Sequence, residues 1–226
     1  MTPDAYEAWY ATPRGRWIGD AEYAMLRALA EPRPGDALLD VGCGTGHFTR
    51  RFARDCRAVV GIDPDAAAIG WARSHATSGE RYVRGAAETL PFPDRSFDVV
   101  ASVAAIGFVR DPFAAVREIV RVARRSVVLG LLNRRSLLHR AKGRPGSEGG
   151  YGGARWHDAS DAVGLLAGLP VARVRLRSAV VLPGGGAVAR AIEPHWPRGL
   201  LVGAMLAVAA DVEEGAGAFV RGTLAP

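Results

Sequence analysis

One stretch constrains this chain more than any other. Leu38-Leu39-Asp40-Val41 reads as a short apolar strand, and Gly42-Cys43-Gly44-Thr45-Gly46 is too rich in glycine for a regular element. Helical spacing then resumes through Phe48, Phe52 and Ala53. A strand that enters a glycine turn and leaves as a helix sets bare backbone and free N–H groups beside a ligand. The glycines stand as G-x-G-x-G, with an acid two residues ahead of the first. A dinucleotide-binding turn wants G-x-G-x-x-G, and its sixth position here is His47. A nicotinamide oxidoreductase is therefore disfavoured.

The same theme repeats along the chain. Strands are predicted at 58–62, ending at Asp63-Pro64, and at 81–84, 97–103 and 126–132. A helix is predicted over 65–75. Another follows Asp111-Pro112, with Phe113, Val116, Ile119, Val120 and Val122 on one face. This alternation predicts an α/β fold: a doubly wound, Rossmann-like, mainly parallel sheet of about seven strands. Val171–Leu182 and Leu200–Val208 are expected to add an antiparallel edge. A short helix is expected at about 159–168. Residues 4–30 look helical, with a break around Thr12-Pro13-Arg14-Gly15, and form an N-terminal cap. The expected organisation is a cap over 1–35, a ligand-binding core over 36–132, and a lid loop with sheet edge over 133–226, all within one domain. Residues 143–153 hold six glycines and read as a mobile lid, and the last dozen residues read as loose.

Several function classes drop out early. Leu200–Ala210 is too short to cross a bilayer, which takes about 20 residues. The opening MTPDAYEAWY has neither the basic nor the apolar part of a signal peptide. The two cysteines, Cys43 and Cys56, give no disulfide framework and no metal spacing. A cytoplasmic protein without a metal or a membrane span is expected. The net charge of +6 suggests nucleic acid, but it is local. Arg121, Arg124, Arg125, Arg134, Arg135, Arg140, Lys142 and Arg144 form a strip without an acid, and the rest of the chain is slightly acidic. Such a strip reads as a gate for an anionic substrate or as a solvated face. It lacks the regular aromatics of a nucleic-acid surface.

Four segments, in order, carry a family resemblance. They are the glycine turn, Val59-Val60-Gly61-Ile62-Asp63, the stretch Gly85-Ala86-Ala87-Glu88-Thr89-Leu90-Pro91-Phe92-Pro93-Asp94-Arg95-Ser96-Phe97-Asp98, and Ala115–Val122. Over about residues 36–132 the chain resembles class I S-adenosylmethionine (SAM)-dependent methyltransferases, and most of all the group that includes the ubiquinone and menaquinone enzymes. The resemblance implies SAM as cofactor and the following roles. Gly42, Cys43, Gly44 and Gly46 would pass close to its methionine part. Asp40 would face the ammonium group. Asp63 would hold the ribose diol, its two carboxylate oxygens matching two hydroxyls. Ile62, Pro64 and Leu90 would flank the adenine, with Ala87 and Glu88 at its edge. Ser102 and Val103 would line the methyl-transfer channel. Read by themselves, Asp40 and Asp63 could equally be turn residues, and Cys43 a small packed side chain. The family often has an acid where this chain has Ala86.

The acceptor site must come from outside this core. Tyr6, Tyr10 and Trp17, with Arg14 and Arg16 among them, are expected to wall the pocket. Tyr151 and Trp156 are expected from the far side of the glycine-rich run. His139, His157 and His195 are candidate general bases if the acceptor must lose a proton. Ala105-Ile106-Gly107-Phe108-Val109-Arg110 reads as an apolar channel wall. The expected activity is methyl transfer to a small molecule by a monomer or homodimer. The rivals are an RNA- or protein-directed methyltransferase that uses the strip at 121–144, and a SAM-binding protein without catalysis.

Overall fold

The computed structural model describes residues 1–77, 79–143 and 151–213. Residue 78, residues 144–150 of the glycine-rich run (Arg144 among them) and residues 214–226, which include the last dozen, lie outside those described. No helix among the described residues is long and apolar enough to cross a membrane.

Two helices open the chain, α1 (Pro3–Ala11) and α2 (Pro13–Ala30). Thr12 separates them. Its backbone is extended, its hydroxyl accepts the Gly15 amide at 3.0 Å, and Pro13 starts α2 with its φ already set. The alternating part follows as β1 (Ala37–Val41), α3 (His47–Phe52), β2 (Ala58–Asp63), α4 (Ala66–Ser74), β3 (Arg81–Arg84), β4 (Phe97–Val103), α5 (Pro112–Val122) and β5 (Ala123–Leu132). Then come α6 (Leu137–Lys142), α7 (Ala159–Gly164), β6 (Val171–Ala179), α8 (Ala187–Ile192), a 3-10 turn (Glu193–His195) and β7 (Met205–Val212).

The seven strands make one sheet in the order β3-β2-β1-β4-β5-β7-β6. β1 to β5 pair in parallel, and β7 runs antiparallel to both β5 and β6. Successive side chains point to opposite faces. Leu38, Val99, Ala101 and Val128 pack against α2 and α3 on one side. Leu39, Val100, Val127 and Leu129 pack against α5 and α7 on the other. α5 buries Val116, Ile119 and Val120, worth roughly 1.5–3 kcal/mol each against exposure. The strand order reverses between β1 and β4, and a ligand crevice belongs beyond the carboxyl ends of those strands.

The two C-terminal strands add the expected antiparallel edge, but the second begins later than expected. The apolar run at 200–208 does not pair as a unit, because β7 starts only at Met205. Asn133 holds the preceding residues in a turn: its side-chain amide donates to the carbonyls of Leu201 (3.1 Å) and Gly203 (2.7 Å). The true edge strand is β6, half exposed and rich in arginine, while β7 is buried in the sheet interior. α8 and the 3-10 turn occupy the connection between β6 and β7.

The basic strip does not persist as a surface. Arg121 binds Glu118 and Asp94, Arg124 binds Asp98, Arg125 binds Asp36, and Arg134 binds Asp158 and Asp161. Most of those acids come from other elements. An acid-free run in sequence is thus partly neutralised in space.

Candidate functional site

The glycine turn leaves β1 tied to the end of β2 and closely covered by the segment after β4. The Gly42 and Cys43 amides both donate to the Ile62 carbonyl. Gly42 has φ of +75°, and a Cβ there would lie 2.2 Å from the Ala105 Cβ. Only glycine lets the segment after β4 close down on the turn. Gly44 also has positive φ, but a Cβ there would meet nothing within 4 Å; it faces open space in the cleft.

Asp63, at the end of β2, braces this turn. Its Oδ2 accepts the Gly44 amide at 2.8 Å and its Oδ1 accepts the Asp65 amide at 2.9 Å. Burial pushes its carboxyl up, and the two amides oppose that. Glu88 accepts the Arg110 amide at 3.0 Å, tying the residues after β3 to those after β4. Asp40 lies deeper. It is buried, its Oδ2 accepts the Thr49 hydroxyl at 2.6 Å, and its Oδ1 has no protein partner. Burial pushes its carboxyl up to about 7, despite the Thr49 hydrogen bond.

The N-terminal helices dock on this turn through acids. Glu7 of α1 accepts from the Thr45 hydroxyl and, at 2.8 Å, from Arg50, and its other oxygen lies 3.7 Å from His47 Nδ1. Burial pushes the Glu7 carboxyl up, but His47, Thr45 and Arg50 together outweigh it and bring it to about 2. Asp4 accepts the Trp71 indole N–H of α4 at 2.9 Å. Tyr10 stacks on His47 with ring centroids 3.6 Å apart. Neither Glu7 nor Asp4 announces itself in sequence, since each partner lies on a distant segment.

One cleft of about 840 Å³ runs from the glycine turn to the cap. Of the residues expected at the cofactor, Gly42, Gly44, Asp63, Pro64, Ala87, Glu88 and Val103 line it. Asp40 and Ser102 lie buried outside its wall. So do Ile62 and Leu90, which belong to the core. Cys43 packs beside Gly61 and Tyr82, and Gly46 leaves room for the Tyr82 ring. Of the residues expected at the acceptor, Tyr6, Tyr10, Arg14 and Tyr151 line the cleft. Arg16 instead donates to the Ala11 carbonyl, and Trp17 packs in the cluster under α2. Trp156 stands between His139 and Tyr151, set back from the wall. None of the three candidate bases lines the cleft. His139 packs on Trp156, His157 is buried with its Nδ1 unpartnered, and His195 is exposed. Their imidazoles have the right chemistry, but the sheet carries them elsewhere. Ala105, Phe108, Val109 and Arg110 do form a wall. Among the described residues, no group of three or more His, Cys, Asp or Glu could hold a metal ion.

The residue that sequence reading missed is Glu22. It lines the cleft, is 9% exposed, and forms no hydrogen bond or ion pair among the described residues. Burial pushes its carboxyl up to about 8; the charge of Arg51 opposes this and that of Glu193 adds to it. The signal was present: Ile18, Glu22, Met25, Leu26 and Leu29 share the buried face of α2, and an acid interrupts that stripe.

Comparison with known proteins settles the type of domain. Residues 39–129 match the family model of a methyltransferase domain. This is a class I, SAM-dependent methyltransferase domain. It is 34% identical over 99 residues to a malonyl-[acyl-carrier protein] O-methyltransferase of Yersinia pestis, a match over 44% of this chain and 37% of that protein. An uncharacterized Mycobacterium tuberculosis protein is 35% identical over 175 residues, 72% of this chain and 56% of its own length. The chain thus spans about half the length of the curated relatives it matches. A Thermotoga maritima SAM-dependent methyltransferase, described as a possible histamine N-methyltransferase, superposes with a TM-score of 0.75 at 23% identity, over 93% of this chain and 96% of that one. That likeness bears on the fold of the methyltransferase domain, not on its acceptor.

Proposed function

We propose that the chain transfers a methyl group from SAM to a small-molecule acceptor held under the N-terminal cap. The observation that carries this reading is one continuous cleft, whose one half is the glycine turn with Asp63 and whose other half is Tyr6, Trp9, Tyr10 and Tyr151. The residues fit the cofactor. Gly44 leaves open space where any side chain would project, and the Asp63 carboxylate faces that space with a lone pair left on each oxygen. When bound, SAM supplies a methyl group activated on a sulfonium. Asp63 holds the ribose hydroxyls, the backbone at Gly42 and Gly44 receives the methionine part, and Pro64 and Ala87 lie along the adenine. Val103 and Ala105 shape the passage between the halves. The cap excludes water and fixes the acceptor in line, which is most of what this chemistry asks of a protein.

The division into cap (1–35), core (36–132) and lid with sheet edge (133–226) belongs to the same reading, as does a cytoplasmic location. A carrier-protein-bound acceptor is the second reading, since relatives that share the domain are named malonyl-[acyl-carrier protein] O-methyltransferases. The test is calorimetric titration with SAM and S-adenosylhomocysteine (SAH), followed by release of labelled methyl from SAM across free and carrier-bound acceptors. Binding of NAD without binding of SAM or SAH would sink the proposal.

A further inference from the structure

The cleft holds a buried acid that the methyl-transfer reading does not use. Glu22 projects from α2 into the cap half of the cleft, nine-tenths buried, with no hydrogen-bonding or ion-pairing partner among the described residues. Tyr6 and Tyr10 of α1 and Tyr151 line the same cleft, and the charges of Arg51 of α3 and Glu193 of the 3-10 turn act on the acid from outside its wall. Arg51 is already engaged by Asp20 at 2.8 Å and by the Gly19 carbonyl at 3.1 Å. The cations that line the cleft, Arg14, Arg110 and Lys142, are exposed. The cap half of the cleft therefore combines this acid with the rings of Tyr6, Trp9, Tyr10 and Tyr151 in its lining. An isolated buried carboxylate is costly unless something pairs with it, and aromatic faces attract cations. Both features ask for the same ligand charge.

We propose that Glu22 pairs with a protonated amine on the acceptor and takes the proton that frees its nitrogen for methylation. This deepens the reading above and rests on it. The ammonium gives one proton to the Glu22 carboxylate, and the nitrogen lone pair is exposed. As the new C–N bond forms, the methyl carbon's bond to sulfur breaks. Its electron pair stays on sulfur as a thioether, and the positive charge passes to the methylated nitrogen. Glu22 keeps that proton as the product leaves and so regains the neutral carboxyl of the empty cleft; the one proton lost per turnover is released when the amine binds. A neutral carboxyl in the empty cleft and a carboxylate in the amine complex agree with the upward push that burial gives this acid. The substrate class is a small amine with an apolar or aromatic body, rather than the anion that the basic strip suggested.

The experiment is calorimetric titration of the whole chain with 2-phenylethylamine and with its uncharged analogue 2-phenylethanol. Each titration is run with and without saturating SAH, on the unaltered protein and on Glu22→Gln. Gln keeps the volume and removes the charge, and thermal melts report whether the variant is folded. The expected result is amine binding that is weaker by about 30-fold or more in Glu22→Gln. At neutral pH the unaltered protein should release a proton on binding the amine, and the variant should release none. Equal binding of amine and alcohol, absence of amine binding, or amine binding unchanged by Glu22→Gln overturns the proposal. Failure of SAH to bind overturns the methyl-transfer reading instead, and the titrations without SAH still decide what Glu22 holds.

Discussion

The Gly44 amide donates to Asp63 Oδ2 at 2.8 Å. This bond joins the turn after β1 to the end of β2, so the carboxylate expected at the ribose also shapes the loop expected at the methionine. Asp63→Ala should therefore lower SAH affinity by more than one contact would suggest, at least about tenfold by calorimetry. Unchanged affinity would remove Asp63 from the cofactor site.

Gly42 and Gly70 should respond in opposite directions to alanine. At Gly42 the new Cβ would lie 2.2 Å from that of Ala105, on a backbone with φ of +75°. Gly42→Ala should cost about 2 kcal/mol or more in urea unfolding and disturb the cleft. Gly70 sits exposed inside α4, with nothing near its missing Cβ. Gly70→Ala should gain about 0.5–1 kcal/mol.

Stability without ligand should fall as the pH rises from about 6.5 to 8. Burial pushes the carboxyls of Asp40 and Glu22 up to about 7 and about 8. Both folded values exceed the unfolded ones. Each contribution is thus complete below the unfolded value and is lost as the pH rises through the folded value. His47 and His157, held down by burial, act in the other direction, but only below their ordinary 6.5. The two acids then set the slope, and a loss of about 2 kcal/mol across the window is expected. Glu22→Gln should remove most of it. Urea melts at the two ends of the window check this, and a curve that rises with pH contradicts it.

The arginines at 121–144 should separate into structural and inert ones. Arg125 is paired with Asp36, which is buried and also accepts the Arg33 amide. Arg125→Ala leaves that acid short of its cation and should cost about 1–3 kcal/mol. Arg140 is exposed, and Arg140→Ala should stay within about 0.5 kcal/mol. Equal losses from both substitutions, measured in urea, would restore the picture of one uniform basic surface.

Local order decided how much of this could be read from the chain. The β1–turn–α3 unit, Asp63 at the end of β2, and Ala87-Glu88 after β3 are short contiguous signals. Strand and helix periods need only neighbouring residues, and the right-handed crossover places each strand end at one edge of the sheet. That was enough for the parallel core, the methyltransferase family and the glycine-turn residues that line the cleft. It could not tell which members of each motif face the cleft: Gly46 and Cys43 stand in the turn but pack against Tyr82 and its neighbours.

Everything that depends on two distant segments was decided by the tertiary structure. Periodicity does not say where an apolar run begins to pair, so the turn held by Asn133 and the place of β7 between β5 and β6 were not legible. The docking of α1 through Glu7, the acids that neutralise the basic strip, and the removal of three histidines from the cleft have the same origin. Glu22 shows the limit most plainly. In sequence it is an acid that interrupts an apolar stripe, and only the packing of α1, α2 and Tyr151 around one cavity makes it a buried acid in the wall of the cleft.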